Sequence, residues 1–243
     1  VMLVSNDTGA VQNIEEISSI IREKERKRSR PIHLHCDMVQ ALGKVPIDLE
    51  KLSVDSASFS AHKIKGPRGV GILYVKKPIQ TVFCGGEQEH GIRAGTENLP
   101  AIWAMGEAMS KYVPEVHENA LKASEIKSIL VEELRSLDFC KLLEDPDEVS
   151  YSPYITAAFI LPVPGEVLVR VMSDAGYAIS SGSACSRSVK KRSRPLTFLG
   201  ISDAEARSAI RISTGFDTAE EDVRGFCRAL RSEAPKLLEI SRI

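Results

Sequence analysis

The sequence lacks any apolar run near the ~18 residues that would indicate a membrane span. It also lacks net charge of either sign, because 32 Lys and Arg side chains against 33 Asp and Glu leave a formal charge of −1. A near-neutral chain has no overall electrostatic attraction for nucleic acid or for a membrane surface. We therefore expect neither among its partners.

The sequence contains no CxxC pair. Its cysteines are odd in number and widely spaced, which disfavours both a zinc site and a disulfide framework. Reduced thiols are typical of cytosolic proteins. We therefore expect a cytoplasmic enzyme without a bound metal. The thiols are at Cys36, Cys84, Cys140, Cys185 and Cys227.

What is present is ordinary globular composition, with 43% hydrophobic and 27% charged residues. A chain of 243 residues forms one large domain or two modest ones. It begins with the apolar run Val1–Val4, which is typical of a buried strand and has no initiator Met. We therefore expect the chain to be N-terminally incomplete.

The first half of the chain alternates β-rich runs with a helical pattern. This alternation is typical of an α/β domain with a mostly parallel sheet, which we predict for residues 1–113. Gly85–Pro100 is polar and glycine-rich, and is predicted to be a long functional loop. The predicted strands are Val1–Val4, His33–Cys36, Ser56–Ser60 and Gly69–Val75, and the predicted helix is Val11–Arg28.

Residues 114–243 are predicted to form a smaller α+β domain. Two capping-box patterns, Ser202 with Glu205 and Thr218 with Glu221, predict the starts of two helices. The other predicted helices are Ile102–Glu118, Asn119–Leu137 and Glu166–Asp174, and the predicted strands are Ile155–Leu161, Ala178–Ser180 and Ile210–Ser213.

Lys63 is a candidate catalytic residue because it follows the predicted strand Ser56–Ser60 and precedes a Gly-Pro turn. Open α/β sheets bind ligands at the carboxyl ends of their strands. A Lys at such a position can form a Schiff base with an aldehyde cofactor if its surroundings lower its pKa. The alternative is an ordinary surface Lys.

Asp37 directly follows the strand His33–Cys36, with Gln40 three residues later. An Asp at a strand end can pair with the ring nitrogen of pyridoxal phosphate (PLP). It can equally cap a helix N-terminus. Its spacing from Lys63 suits two neighbouring strand ends that are joined by one crossover.

Cys185 lies in a run of small polar residues, Ser180–Ser186. Free Cys is usually buried, so a Cys in such a loop favours reactivity. Basic side chains that follow it could favour a thiolate, although on composition alone a solvated charged loop is the better explanation of the run. These basic residues are Arg187, Lys190, Lys191, Arg192 and Arg194.

Together these segments resemble, in order along the chain, the PLP-dependent cysteine desulfurases of the class V aminotransferase superfamily. The resemblance implies a PLP-dependent transferase of fold type I, with a partial large domain and a small C-terminal domain. It rests on His35–Gln40, Ser60–Lys63, Gly66–Gly71, Gly85–Glu89, Arg93–Asn98 and Ser181–Cys185.

The resemblance also implies roles for residues that bind the cofactor. Lys63 would hold PLP and shuttle protons, and Asp37 would pair with the ring nitrogen. Gln40 and Asn6 would hydrogen-bond the phenolic oxygen of the ring. Ser60 and His62 would bind the phosphate of the cofactor.

The remaining implied roles concern the substrate and a second subunit. Thr96 would reach the phosphate bound by the neighbouring subunit of a homodimer. Arg211 would bind the substrate carboxylate, for which a bidentate guanidinium is suited. Cys185 would attack the sulfur of the cysteine–PLP adduct, giving alanine and a persulfide on Cys185.

The activity that the resemblance implies is cysteine desulfuration that supplies iron–sulfur cluster assembly or tRNA thiolation through a sulfur-acceptor protein. Two alternatives remain open. One is a selenocysteine lyase or another class V PLP enzyme. The other is a truncated, non-catalytic sulfur carrier or partner-binding chain.

Overall fold

The computed structural model describes residues 1–82, 85–143, 149–182, 196 and 199–240. The chain divides into two compact units, and its N-terminal segment contributes to both. Unit 1 comprises Val1–Ser5 and Val11–Asn119, and unit 2 comprises Asn6–Ala10 and Ala120–Ile243. The predicted boundary was between residues 113 and 114.

The segment Asn6–Ala10, predicted as part of the first domain, lies in unit 2 because its backbone pairs there. Ala10 forms an antiparallel bridge with Tyr151. The amide of Ser152 donates to the carbonyl of Gly9 at 2.8 Å. Unit 2 is therefore discontinuous in sequence.

Unit 1 has a three-stranded sheet in the order β1-β2-β3, flanked in sequence by helices. Its strands are β1 (His35–Asp37), β2 (Ser56–Ser60) and β3 (Gly71–Val75). Its helices are α1 (Ile14–Glu25), α2 (Leu49–Leu52), α3 (Leu99–Tyr112) and the start of α4 (Val116–Arg135), with 3₁₀ turns at Ala61–Ile64 and Gln88–Gly91.

The sheet of unit 1 is mixed. Strands β1 and β2 are parallel, and Met2 adds a parallel bridge to Asp37. Strand β3 runs antiparallel to β2. The connection from Ser60 to Gly71 is short, whereas a parallel neighbour needs a crossover of about a dozen residues or more.

Two helix boundaries differ from those predicted, for local reasons. Helix α1 begins at Ile14 rather than Val11, because the Asn13 side chain caps it by accepting from the Glu16 amide. The break between α3 and α4 surrounds Pro114, which has no N–H to continue a helix.

Unit 2 contains an antiparallel four-stranded sheet in the order β4-β5-β7-β6. The strands are β4 (Lys141–Leu142), β5 (Ile155–Phe159), β6 (Ser180–Ser181) and β7 (Ala209–Ser213). The helices are the rest of α4, α5 (Gly165–Asp174), α6 (Asp203–Ser208) and α7 (Glu220–Ile240).

The core of unit 2 forms where apolar residues of α4, α5 and α7 pack with residues of β5 and β7. Burying one such side chain contributes about 1.5–3 kcal/mol. This core therefore fixes β7 in the sheet. Its buried members include Leu130, Leu134, Ala158, Leu168, Met172, Ile210, Phe226 and Leu230.

One predicted capping box is confirmed and the other is wrong. Ser202 and Glu205 cap α6 reciprocally. Thr218 instead accepts from the Gly215 amide, and α7 begins only at Glu220. No helix in the described part of the chain combines the length and apolar character that a membrane span requires.

Candidate active site

The candidate cofactor residues of unit 1 follow two neighbouring strand ends. In the parallel pair β1–β2, Asp37 stands opposite Ser58, and the Met38 amide donates to the Ser58 carbonyl at 2.9 Å. Both strands end at the same edge of the sheet. Asp37 ends β1, and the turn that carries Lys63 follows β2 directly.

Asp37 is half-buried and closes a turn at the end of β1. Its Oδ1 accepts from the Val39 amide at 2.9 Å. No helix follows directly, so the N-cap alternative is excluded. Gln40, also a candidate, is buried in the same turn, with a relative exposure of 9%.

Lys63 lies in the 3₁₀ turn Ala61–Ile64 and is half-buried. Lys65 ends this turn in the left-handed region, with φ 60°, and the Gly66 amide returns to the Ala61 carbonyl at 2.9 Å. A Cβ on Gly66 would lie 2.9 Å from that carbonyl oxygen. Glycine at this position therefore lets the turn that carries Lys63 close.

The same turn is anchored in the interior of unit 1. Ala61 and Ile64, on either side of Lys63, are fully buried. A Cβ on Gly43 would contact the side chains of Ile64 and Tyr112 at 3.3 Å, so the packing here is close. Buried neighbours thus fix the backbone on both sides of Lys63.

Ser60 and His62 form a side-chain pair next to Lys63. Ser60 Oγ and His62 Nδ1 are hydrogen-bonded at 2.5 Å. Burial lowers the pKa of the His62 ring below 6.5, and the positive charges of Lys63, Arg68 and Lys44 lower it further. A neutral ring bonded in this way keeps its other nitrogen for a ligand.

Lys44 is a residue that the sequence reasoning missed. Burial, together with the positive charge of Lys63, lowers the pKa of its ammonium to about 8. Lys44 follows the positive-φ residue Gly43 in the turns after β1. The spacing of Lys44 from Lys63 in the sequence does not predict an interaction, because the fold is what brings the two charges close.

Thr96, the candidate that would serve a second subunit, is exposed in the loop before α3. The Gly95 amide donates to Gln88 Oε1 at 3.4 Å, and Arg93 donates to the Ala94 carbonyl at 2.7 Å. These contacts shape the loop while the Thr96 side chain stays accessible.

Arg211 is the candidate carboxylate-binding residue of unit 2 and lies on β7. Its Nη1 donates to the Asn6 carbonyl at 3.1 Å, and its Nη2 donates to Ser180 Oγ at 3.0 Å. Its Nε donates to Ser213 Oγ at 3.3 Å. The guanidinium is thus held by oxygens from three segments of unit 2.

Asn6 is half-buried beside Arg211, and its Nδ2 donates to Asp7 Oδ1 at 2.8 Å. Burial raises the pKa of Asp7 above 3.8, while the Arg211 charge and the Asn6 hydrogen bond oppose the rise. Asp7 was not singled out from the sequence, although it directly follows Asn6 in the chain.

Cys185 lies outside the described residues. The described thiols are poor nucleophiles, because burial raises the pKa of each. The pKa of Cys36 is raised above 9.0, that of Cys140 is about 12 and that of Cys227 is about 11. Strand β6, which ends at Ser181, leads into the segment that contains Cys185.

The structure therefore brings Asp37, Gln40, Ser60, His62 and Lys63 together in unit 1, where Thr96 also lies. Unit 2 holds a separate group.

The group in unit 2 consists of Asn6 and Arg211 together with Asp7. Each group has its own hydrogen-bonded geometry. Cofactor and substrate roles for these residues stay predictions.

Comparison with known proteins gives a family match over nearly the whole chain. The model of the family described as aminotransferase class-V matches residues 1–226. Relatives named cysteine desulfurase IscS are 38% identical in Methylobacillus flagellatus and 35% in Buchnera aphidicola, each over 99% of this chain. The chain spans 58% of the length of these two curated relatives.

Solved structures agree with this family match. A NifS-like protein has a TM-score of 0.84 at 32% identity and covers 98% of this chain and 60% of its own. A NifS-like protein from Rickettsia africae has a TM-score of 0.85 at 28% identity, over 97% of this chain and 61% of its own. The predicted fold class, a partial PLP-dependent transferase of fold type I, is confirmed by these matches.

Proposed function

Because the chain belongs to the class V aminotransferase family, a family of PLP-dependent enzymes, we propose that it is part of a cysteine desulfurase. This enzyme removes sulfur from L-cysteine, forms L-alanine and leaves a persulfide on Cys185. The placement of Asp37 at the end of β1, and of Lys63 just after the end of the adjacent parallel strand β2, supports the proposal most directly.

The donor set of unit 1 fits PLP. The cofactor needs an amine for its aldehyde, a carboxylate for its ring nitrogen and donors for its phosphate. Lys63, Asp37 and the pair Ser60–His62 supply these three functions. The positive charges of Lys44 and Arg68 act on the same His62 and favour an anion there.

PLP, when bound, withdraws electrons from the substrate Cα and weakens the bonds around it. The residues of the chain do the rest. Lys63 Nζ holds the cofactor and moves protons, and the Asp37 carboxylate keeps the ring nitrogen protonated. Arg211 binds the substrate carboxylate through its N–H groups, which fit two oxygens at once.

Cys185 receives the sulfur in this proposal. Its neighbours in sequence are small and polar, whereas the described thiols are buried or half-buried and have raised pKa values. The persulfide would pass to an acceptor protein for iron–sulfur cluster assembly or tRNA thiolation. The enzyme would act in the cytoplasm.

A homodimer is part of the proposal. Helix α3 exposes an apolar face directly after the loop that carries Thr96. Leu99, Ile102 and Trp103 have relative exposures of 70%, 41% and 74%. Contiguous apolar exposure of this kind marks an interaction surface.

Intact mass spectrometry after borohydride reduction, followed by peptide mapping, tests the cofactor assignment. The protein incubated with PLP should gain one reduced adduct on the peptide that contains Lys63. The Lys63→Arg variant should gain none. Lys65→Arg, two residues away, is the matched control and should retain the adduct.

The sulfur step has its own test. With a thiol reductant present to reduce the persulfide and free its sulfur as sulfide, the Cys185→Ala variant should bind PLP normally but release no sulfide from L-cysteine. Cys140→Ala, which removes a half-buried thiol, should retain sulfide release. A Cys185→Ala variant with full turnover would contradict the proposed nucleophile, and absence of the Lys63 adduct would contradict the cofactor site.

A further inference from the structure

The guanidinium of Arg211 is held by uncharged oxygens. The three hydrogen bonds recorded for it in the described part of the chain end on the Asn6 carbonyl and on the hydroxyls of Ser180 and Ser213. A guanidinium has five N–H groups, so two are left for a ligand. Its positive charge is positioned without being neutralised by these contacts.

Asp7 is the carboxylate associated with this charge. It is half-buried, and among the described residues Arg211 is the charged group that acts on it. It also accepts the hydrogen bond from Asn6 Nδ2 at 2.8 Å. Asn6 therefore connects Asp7 and Arg211: its side-chain amide donates to the Asp7 carboxylate, and its backbone carbonyl accepts from the Arg211 guanidinium.

We propose that Asp7 is a positioning and specificity residue, which holds Asn6 in place and limits how strongly the Arg211 site binds anions. This inference rests on the proposed function, because it takes Arg211 as the carboxylate site. It deepens that function by naming a substrate preference. An amino acid with one carboxylate is accepted, whereas a ligand with a second negative charge is repelled by Asp7.

The physical argument is one of charge. A negative group near a cation offsets part of the attraction that the cation exerts on an incoming anion. Interactions of partly exposed charges are worth up to about 1 kcal/mol, so removing the Asp7 charge should tighten binding of a monoanion up to about fivefold. A dianion carries two charges that Asp7 repels, so removing the Asp7 charge should tighten its binding about 25-fold.

The Asp7→Asn variant isolates this effect. It keeps an oxygen that accepts from Asn6 Nδ2 and removes only the negative charge. Asp7→Glu keeps the charge and should restore the wild-type affinities. The matched control is Asp174→Asn, which removes an exposed carboxylate from the end of α5 in the same unit.

Binding is measured on the full chain by NMR, from the shift of the Arg211 Nε–H signal, which is assigned by its loss in Arg211→Lys. The probes are trifluoroacetate and sulfate, which keep their charges of −1 and −2 throughout the pH range used. This readout requires neither cofactor nor turnover.

We expect Asp7→Asn to bind both anions more tightly, and sulfate by the larger factor, with Asp174→Asn unchanged. In the wild type, binding should tighten as the pH falls from 7 towards the raised pKa of Asp7, because protonation removes the same charge. Asp7→Asn should lack this tightening.

The failures are distinguishable. An Arg211 signal that responds to the anions with equal affinity in wild type and Asp7→Asn, and with no tightening at low pH, overturns the role of Asp7 alone. An Arg211 signal that responds to neither anion overturns the carboxylate site of the proposed function together with the role of Asp7.

Discussion

Arg211 Nη1 donates to the carbonyl oxygen of Asn6 at 3.1 Å, although 205 positions separate the two residues in the chain. Through this bond and that to Ser180, one side chain on β7 fastens two other segments of unit 2. The charge that is proposed to bind substrate is therefore also structural.

The first prediction follows from this double role. Arg211→Lys keeps the charge but cannot reach three acceptors at once. We expect a loss of unfolding free energy of about 1–3 kcal/mol, measured by urea denaturation. The exposed Arg207→Lys in α6 is the control and should change little, and an equal loss in both variants would contradict the prediction.

The catalytic counterpart is a second prediction. If Arg211 binds the substrate carboxylate, Arg211→Lys in the loaded enzyme should raise KM for L-cysteine by about 10-fold or more. The variant should lose more in kcat/KM than in kcat, because saturating substrate compensates for weaker binding. A variant with unchanged KM would mean that the substrate carboxylate binds elsewhere.

A third prediction concerns Lys44 and pH. Its folded pKa, about 8, lies below the ordinary value of 10.5, so the unfolded chain binds more protons between these two pH values. Unfolding free energy should therefore rise with pH from 8 to 10.5. The gain between pH 7 and pH 9.5 should be about 1–2 kcal/mol.

Replacement of Lys44 tests the assignment. Lys44→Met should lose this pH-dependent gain and should be more stable than wild type at pH 7. The control is Lys51→Met, which removes an exposed ammonium in α2 of the same unit. Urea denaturation at the two pH values measures both variants, and a Lys44→Met profile parallel to that of wild type would refute the assignment.

A fourth prediction concerns the cap of α6. The Ser202 hydroxyl accepts from the Glu205 amide and donates to the Glu205 carboxylate at 2.7 Å. Ser202→Ala should cost about 1 kcal/mol of unfolding free energy. The exposed Ser232→Ala, within α7, is the control and should be close to neutral.

The cap should also depend on pH. Hydrogen bonds from Lys141 and Ser202 lower the pKa of Glu205 to about 2. Its stabilising contribution is therefore present above pH 4.5 and is lost as the pH falls towards 2. The difference between wild type and Glu205→Gln, measured by thermal denaturation, should shrink over that range.

A fifth prediction uses the single tryptophan of the chain. Trp103 is 74% exposed on α3, so dilute protein should show the long-wavelength emission of an indole in water. If this face forms the homodimer, the emission should shift to shorter wavelength as concentration rises. Trp103→Lys should remain monomeric by light scattering, whereas Leu121→Lys, exposed on α4, should not.

The positions of Asp37 and Lys63 at strand ends were predictable, because strand ends are local features. Asp37 and Lys63 each follow a short β-rich run, and parallel strands bring their carboxyl ends to one edge. The long amphipathic helices and the Ser202 cap were equally predictable, because each depends on residues that are close together in the sequence. Such features were read from neighbouring residues alone.

What was not predictable depends on contacts between distant residues. Asp7 and Lys44 carry no distinctive spacing, and their charges matter only because Arg211 and Lys63 come close in the fold. Thr218 matched a capping pattern, but its hydroxyl accepts from Gly215 instead. A local pattern cannot decide between two partners that compete for one hydroxyl.

The division of unit 2 into Asn6–Ala10 and Ala120–Ile243 has a consequence for how this chain folds during its synthesis. The ribosome synthesises Arg211 more than two hundred residues after Asn6. Unit 1 can assemble its sheet while the nascent chain is still growing, but the guanidinium that holds Asn6 is synthesised only after all of unit 1. Assembly of unit 2 therefore follows synthesis of unit 1, and a ribosome that stalls before β7 leaves Asn6–Ala10 without its hydrogen bond from Arg211.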